Sequence, residues 1–310
     1  MQTAAKSQKA KRLLKRIIKS WQLYLLIAPA TIYFVVFHYW PMYGVQIAFR
    51  NYTAKKGILG SPWVGLSHFT RFVTGPNFWN LLRNTLSISL ANLLFGFPIA
   101  VILALVINEL RSKKMKRFVQ TVTYAPHFIS TVVIVSMLGI FLNVNTGMIN
   151  RFLSLFGRGP YDFMTVGPWF STIYVISDIW ASTGWNSIVF LAALSNVDVL
   201  QHEAATVDGA TRLQRIWYVN LPAILPTLVV MFILRAGRVM TVGYEKAYLM
   251  QNALNLEYSE LISTYVYKVG LINTQFSFST AVGLLNSLCN VALLLLVNFI
   301  SKKVSDTSLL

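Results

Sequence analysis

The 310-residue sequence is 55% hydrophobic and only 12% charged, with a mean hydropathy of +0.56. A soluble domain carries about 25% charged residues, so this composition excludes a soluble protein and indicates an integral membrane protein. The net charge is +17, which in a membrane protein is first explained by Lys and Arg on cytoplasmic segments. No basic and aromatic RNA-binding motif accompanies that charge, so we expect membrane lipids rather than nucleic acid as partners. The single cysteine, Cys289, lies in an apolar run and excludes an intrachain disulfide.

Residues 1–20 form a basic tail. Seven Lys and Arg residues between Lys6 and Lys19 surround two pairs of aliphatic residues, a pattern that predicts an amphipathic helix on an anionic membrane surface. The uncharged run that follows is much longer than a signal-peptide core. It therefore predicts a retained membrane span.

Apolar stretches after this tail are each long enough to cross about 30 Å of hydrocarbon. They predict an all-α integral membrane protein with six transmembrane helices, in a domain that covers residues 21–310. Gly96, Pro98, Pro126 and Pro226 fall inside the stretches, as is common where membrane helices pack closely or bend. The predicted spans are about 21–49, 84–108, 118–143, 169–196, 216–238 and 272–301.

Basic residues predict the orientation of these spans. With both termini in the cytoplasm, the cytoplasmic segments carry 16 of the 27 Lys and Arg residues. The 11 others lie in longer external segments, so the density per residue differs more than twofold in the direction of the positive-inside rule. This orientation also places residues 197–216 in the cytoplasm.

The segment 203–222 joins two of these spans and has an ordered pattern. Good helix formers are followed by Gly209, which indicates a helix break or a close-contact point, and a second helical pattern starts at Thr211. The sequence therefore predicts a helix, a turn and a second helix, with Leu221-Pro222 opening the next span. The residues that carry the pattern are Glu203, Ala204, Ala205, Asp208, Gly209, Leu221 and Pro222.

This spacing resembles the EAA loop of the membrane subunits of binding-protein-dependent ABC importers. The resemblance implies a type I ABC importer transmembrane domain whose loop is a cytoplasmic coupling helix seated on an ATPase. It further implies as partners two ATPase subunits, a second homologous permease subunit and an extracellular substrate-binding lipoprotein. No P-loop sequence is present, so we expect no cofactor in this chain, with ATP and Mg²⁺ bound by the partner ATPase.

A second resemblance covers residues 63–301, especially Val242-Gly243-Tyr244-Glu245 and the segment Ser263-Thr264-Tyr265-Val266-Tyr267. These stretches are similar to permeases for complex carbohydrates that work with lipoprotein binding proteins in Gram-positive bacteria. The resemblance implies an oligosaccharide substrate and a multi-pass location in the bacterial cell membrane. It also implies that the stretch with Tyr244 and Glu245 contributes to the substrate cavity.

Asp178 is an ionisable residue about 15 Å into its predicted span, where such a group is a functional candidate. Ser182 and Trp185 recur on the same helical face, with Asn186 beside them, so an acceptor and an aromatic ring could line one cavity. The alternative is a contact between helices in which Asp178 pairs with a donor.

Arg235 and Arg238 share a face near the outer end of the next span, and one of them could be that donor. Snorkelling of these two side chains to headgroups is the alternative. Two arginines at this end also favour an acidic sugar, although a general positive field on the external side would be an adequate explanation.

Other chemistry has little support in the sequence. His202-Glu203 begins like a zinc-protease motif, but position 206 is Thr206, so we expect no metal site and no catalytic residues. A self-sufficient secondary transporter or channel is the alternative function; it predicts inverted repeats and a loop without the coupling spacing. A membrane-embedded enzyme would need paired acids or a nucleophile with a base.

Overall fold

The computed structural model describes residues 19–305, with no side-chain description for 304 and 305, and this range is helical. Its one β-type contact is an isolated bridge between Arg50 and Trp63, so the described residues contain no strand, as an all-α fold requires. The chain divides into two compact units, residues 1–65 and 66–310. The predicted amphipathic helix in the tail 1–20 falls almost entirely outside the described residues.

Twelve helices of the described residues are labelled in chain order. The first unit contains α1, and the second contains the rest. Their bounds are α1 Trp21–Phe49, α2 Ser67–Val73, α3 Phe78–Glu109, α4 Lys113–Tyr124, α5 Thr131–Phe141, α6 Met148–Ser154, α7 Trp169–Ser195, α8 Val199–Val207, α9 Arg212–Ala236, α10 Tyr244–Met250, α11 Ile262–Tyr267 and α12 Phe276–Ser305.

The first unit is an apolar helix followed by a small loop. No residue in the 18-residue apolar window of α1 is buried within the chain, so its side chains are available to lipid or to another subunit. In the loop, the Arg50 guanidinium donates to the carbonyl oxygens of Leu59 and Ser61 at 3.0 and 2.9 Å. Trp63 stacks on Phe49 with ring centroids 5.4 Å apart.

Three long helices contain a proline just after a widened π turn. The π turns Val35–Tyr39, Asn92–Gly96 and Ile216–Asn220 precede Pro41, Pro98 and Pro222, each by one intervening residue. Proline lacks an N–H and clashes with the carbonyl four residues earlier, and a π turn changes the hydrogen bonding there without ending the helix. The predicted helix start at Leu221-Pro222 is therefore wrong, because the helix already begins at Arg212.

The span predicted at 118–143 is broken. Its two halves, Lys113–Phe128 and Thr131–Phe141, are bent by 99° at the break. Pro126 lies in a 3-10 turn that ends α4, and Ile129 and Ser130 have extended backbones. The Ser130 hydroxyl accepts from the Val133 N–H and starts α5, so the apolar run contains both a helix stop and a new cap.

Within the described residues, four helices are long and apolar enough to cross a membrane: α1, α3, α9 and α12. The broken pair of α4 and α5 makes a fifth if it is one span. The remaining predicted span, 169–196, is the continuous 27-residue helix α7, whose Asp178, Asn186 and several hydroxyl groups lower its hydropathy. These findings support a multi-pass membrane protein.

Small residues on α3 and α7 allow close packing in the second unit. Ala100 and Ala104 on α3 are buried in one cluster with Phe190 and Leu194 of α7. On another side of α7, a Cβ added to Gly184 would overlap the Thr123 carbonyl at the end of α4. Glycine is therefore required at this crossing by the close approach of the two backbones.

The segment after α9 is held by two asparagines of α12. The Asn290 side-chain oxygen accepts from the Met240 N–H at 2.9 Å, and the Asn286 amide donates to the Met240 carbonyl at 3.1 Å. Asn290 also donates to the Thr241 hydroxyl at 2.8 Å. These bonds satisfy irregular backbone and fix the wall of the cavity described next.

Candidate functional site

A cavity of about 620 Å³ lies among α3, α7, α9 and α10 in the second unit. Four predicted spans supply its walls, including the one that contains Thr131 at the start of α5, and the segment 239–243 closes one side. The polar and charged residues that line it are Ser89, Asn92, Thr131, Asp178, Asn186, Arg235, Arg238, Thr241, Glu245 and Lys246. The cavity is thus polar although it lies between apolar helices.

Four of the six predicted substrate residues line this one cavity: Asp178, Asn186, Arg238 and Glu245. They come from α7, from the turn after α9 and from α10, and they are brought together only by the fold. The two predicted aromatic residues, Trp185 and Tyr244, are not among its lining residues.

The ion-pair partner of Asp178 is Lys246 of α10, rather than either predicted arginine. The Lys246 ammonium lies 3.4 Å from the Asp178 carboxylate and donates to the Tyr174 carbonyl at 3.0 Å. It also lies 4.3 Å from the centre of the Tyr174 ring. Lys246 is only 9% exposed, so burial lowers the pKa of its ammonium, while the charge of Asp178 opposes that effect. Asp178 therefore lines the cavity and also pairs with a donor, so the two arrangements that the sequence offered as alternatives occur together.

Arg235 and Arg238 both line the cavity, and neither takes part in a salt bridge among the described residues. Arg235 is half-buried and Arg238 is exposed. The lining contains three cationic side chains against two carboxylates, Asp178 and Glu245. Because Lys246 already neutralises Asp178, the two arginines leave the cavity with an excess of positive charge.

The aromatic residues pack elsewhere. Trp185 stacks on His127 with ring centroids 4.5 Å apart and planes 8° apart, so one face of its indole is covered. Tyr244 stacks on Tyr267 at 4.9 Å. That second stack joins the segments 242–245 and 263–267, which are distant in the sequence.

Sequence reasoning missed Lys246, Asn92, Ser89 and Thr131. Asn92 was detectable, because it is a polar residue within an apolar span and the rule applied to Asp178 covers it equally. Lys246 was not, because it lies on a short helix outside the apolar runs and its proximity to Asp178 depends on the turn after α9.

The predicted helix–turn–helix is present between α7 and α9. Asp198 caps the start of helix α8, because its carboxylate accepts from the Leu200 N–H at 2.9 Å, and the helix ends at Val207. Gly209 follows with φ +78°, a left-handed conformation that favours glycine. The Ala210 N–H then donates to the Ala205 carbonyl at 2.9 Å, which closes the end of α8.

The second helix of the loop begins as predicted at Thr211. A capping box joins Thr211 and Gln214, with the Thr211 N–H donating to the Gln214 side chain at 2.7 Å. The Arg215 guanidinium donates to the Thr206 hydroxyl at 3.1 Å and ties α9 to α8. Glu203, Ala204 and Asp208 are exposed and Ala205 is half-buried, so most of the motif is accessible on the surface of the second unit.

Comparison with known proteins identifies the family. Residues 96–306 match the model described as the binding-protein-dependent transport system inner membrane component. The chain belongs to this permease family. Its members are transport components rather than enzymes, which confirms the prediction that this chain is not the ATPase. Membership also argues against a self-sufficient secondary transporter or channel.

Two relatives of this permease from Bacillus subtilis strain 168 are similar over almost their whole length. The polygalacturonan/rhamnogalacturonan transport system permease protein YteP is 44% identical, with 97% of this chain and 94% of the relative covered. The protein LplB is also 44% identical, with 93% and 90% covered. A chain from the crystal structure of a bacterial alginate ABC transporter, in complex with its alginate pentasaccharide-bound periplasmic protein, superimposes with a TM-score of 0.87. The two chains are 38% identical, and the superposition covers 96% of this permease and 100% of the alginate transporter chain.

Proposed function

We propose that this permease is the transmembrane subunit of an ATP-driven importer that moves an acidic oligosaccharide through the cavity. The observation that carries the proposal is the pair of arginines, Arg235 and Arg238, in a cavity where Lys246 already neutralises Asp178. A guanidinium binds carboxylates through two parallel hydrogen bonds. A structurally similar bacterial transporter takes part in the import of the acidic polysaccharide alginate. The relative YteP is named as a polygalacturonan/rhamnogalacturonan permease.

The rest of the lining suits a sugar. A volume of about 620 Å³ falls within the range of roughly 300–1,000 Å³ that is typical of small-molecule sites. Asn92, Thr131 and Asn186 offer hydrogen-bond partners for hydroxyl groups, and Glu245 adds an acceptor. The Asp178 side chain remains 40% exposed, so its free oxygen can contact substrate while Lys246 holds the other.

Substrate delivery and energy come from other subunits in this proposal. An extracellular lipoprotein delivers the sugar, a second permease subunit completes the pathway, and two ATPase subunits bind ATP and Mg²⁺. The loop 198–215 is the coupling element, and three apolar residues of α8 support that role: Val199, Leu200 and Val207 are 66%, 68% and 87% exposed. Exposed apolar residues on a polar loop suit a protein contact.

The coupling role can be tested by cross-linking. In a Cys289→Ser background, a cysteine at Val207 should form a disulfide with a cysteine in the ATPase groove, and ATP should change its yield. A cysteine at Arg158, on a different predicted side of the membrane, is the control. Cross-linking at Arg158 but not at Val207 would reject the coupling role.

The proposed topology has six spans, including α7 and the broken pair, with both termini in the cytoplasm. In the same background, cysteines at Lys55 and Arg158 should react with an impermeant maleimide in intact cells. A cysteine at Lys114 should react only after the membrane is opened. The reverse labelling pattern would overturn the orientation and the cytoplasmic location of the coupling loop.

The acidic substrate can be tested without any variant. We expect the reconstituted complex to import a uronic-acid oligosaccharide and to lose at least about tenfold in uptake when its carboxyl groups are reduced to alcohols, since each lost charge-assisted bond is worth roughly 1.5–3 kcal/mol. Binding-protein affinity for both sugars is measured separately. Equal uptake of the two at equal loading of the binding protein would reject the acidic substrate.

A further inference from the structure

The start of α4 is the most densely basic part of the described chain. Five of the seven residues 111–117 are Lys or Arg, and none is acidic. Four of the five are exposed, and none belongs to a salt bridge among the described residues. They are Arg111, Lys113, Lys114, Lys116 and Arg117, of which Lys116 is half-buried. A cluster of this charge density without a counter-ion in the described chain suits an anionic partner.

Helix α4 is amphipathic in a way that puts apolar and basic strips side by side. Its packed face contains Lys116, Val119, Gln120, Thr123 and Tyr124, which are all half-buried. Beside that face runs an exposed apolar strip of Met115, Phe118 and Val122, with exposures of 50%, 64% and 54%. Lys113, Lys114 and Arg117 form the adjoining exposed strip. An acidic protein groove would match the basic strip but leave the apolar one uncovered.

Two contacts fix where this helix lies. The Asn220 amide donates to the Glu109 carboxylate at 3.3 Å, so the end of α3, just before α4, lies beside the first half of α9, the long helix that follows α8. At the other end of α4, the Thr123 carbonyl is packed against Gly184 in the middle of α7. Helix α4 therefore runs from the end of the bundle that carries α8 toward its centre, and its basic residues lie at that end.

We propose that residues 111–122 bind the headgroups of anionic phospholipids. The basic strip contacts the phosphates, and the apolar strip enters the adjoining acyl chains, which is the arrangement of an interfacial helix. The inference that this is the cytoplasmic leaflet rests on the proposed topology, whereas the lipid contact itself does not. Each basic residue at an anionic surface contributes about 1 kcal/mol, so three of them are worth a factor of about 100 in affinity.

The test measures lipid binding to the intact complex. Phosphatidylglycerol or phosphatidylcholine is titrated into the detergent-purified complex, and bound lipid is counted by native mass spectrometry. The test variant is Lys113→Gln/Lys114→Gln/Arg117→Gln. The matched control, Lys55→Gln/Lys56→Gln/Arg158→Gln, removes the same charge from exposed residues elsewhere. A second test variant, Met115→Ser/Phe118→Ser, removes the apolar strip and keeps the charge.

The expected result is tight phosphatidylglycerol binding that weakens about 100-fold in the charge variant and stays unchanged in the matched control. The apolar variant should weaken binding of both lipids. Equal affinities for the two lipids, or equal losses in the test and control variants, would overturn the proposal. Loss of the ATPase subunit from the charge variant with unchanged lipid binding would overturn it too, because the strip would then be a protein interface.

Discussion

The loop 198–215 and the cavity are built from different kinds of contact. In the loop, Asp198, Gly209 and Thr211 each act on backbone within four residues of themselves. In the cavity, Asp178 and Lys246 are 68 positions apart, and they meet because α7 and α10 pack in one core. Local contacts are readable from a sequence, whereas long-range contacts depend on every helix crossing between them.

The close packing of α4 against α7, a long-range contact, should give the greatest loss of stability when it is disturbed. Gly184→Ala places a methyl group on the Thr123 carbonyl, which belongs to backbone and cannot rotate away. We expect a loss of about 3 kcal/mol or more in the free energy of unfolding. The control is Gly283→Ala on α12, where an added Cβ has no neighbour within 4 Å and the change should stabilise the helix by about 0.5–1 kcal/mol. Thermal unfolding of the detergent-purified complex measures both, and equal melting temperatures would contradict the packing.

The next effect concerns the charge pair. Lys246→Met leaves Asp178 without its ammonium partner, and we expect the free energy of unfolding to fall by about 2 kcal/mol. The loss is no larger because the carboxylate still reaches the cavity. Asp178→Asn in the same chain should recover part of that loss. A double-mutant cycle of unfolding free energies measures the coupling between the two side chains. Strict additivity would mean that the pair does not join α7 to α10.

A smaller effect is expected at the turn of the loop 198–215. Gly209→Val should lower the free energy of local opening by about 1–2 kcal/mol. The reason is that a φ of +78° is unfavourable for a residue with a side chain, although the surrounding space is open. Gly209→Asn should cost only a few tenths, since asparagine tolerates this conformation. Amide hydrogen exchange over residues 199–215 reports the local opening. Similar exchange in the two variants would show that the turn is not held by backbone conformation.

The smallest effect is at the second cap. Thr211→Ala removes the hydroxyl of the capping box and should cost about 1 kcal/mol, confined to the start of α9. Thr211→Ser keeps the hydroxyl, and its amide hydrogen exchange should match that of the parent chain. If the alanine variant also raised amide hydrogen exchange in the segment 239–243 at the cavity, the contacts of the Thr211 cap would not be local.

Much of the fold was predictable because hydropathy and caps act locally. The long helices, the helix–turn–helix and the start at Thr211 follow from the sequence. The break at Ile129-Ser130 did not, since the run there is uncharged and only the combination of Pro126 with a Ser130 cap ends one helix and starts another. The continuation of α9 through Leu221 and Pro222 was not predicted, because a π turn allows Pro222 inside a continuous helix.

The candidate site was predictable in part. Intramembrane polarity is a local property, and it led to Asp178, Asn186 and Arg238. Side-chain direction within the cavity is not local: Trp185 shares a helical face with Asp178 by spacing, yet His127 of the segment after α4 covers its ring. The partner of Asp178 was also misjudged, because Arg235 and Arg238 share a face near the end of the next predicted span, whereas the fold supplied Lys246.

We propose that the arginines of the cavity recognise the carboxylates of the sugar, and a cycle of one substitution and one substrate change tests this claim. ATPase stimulation is measured in the reconstituted complex for the parent and for Arg238→Gln, each with saturating binding protein loaded with a uronic-acid oligosaccharide or its carboxyl-reduced form. We expect Arg238→Gln to reduce stimulation about tenfold or more with the acidic sugar and to change it little with the neutral one, since a charge-assisted hydrogen bond contributes roughly 1.5–3 kcal/mol. The same fractional loss with both sugars would contradict the claim.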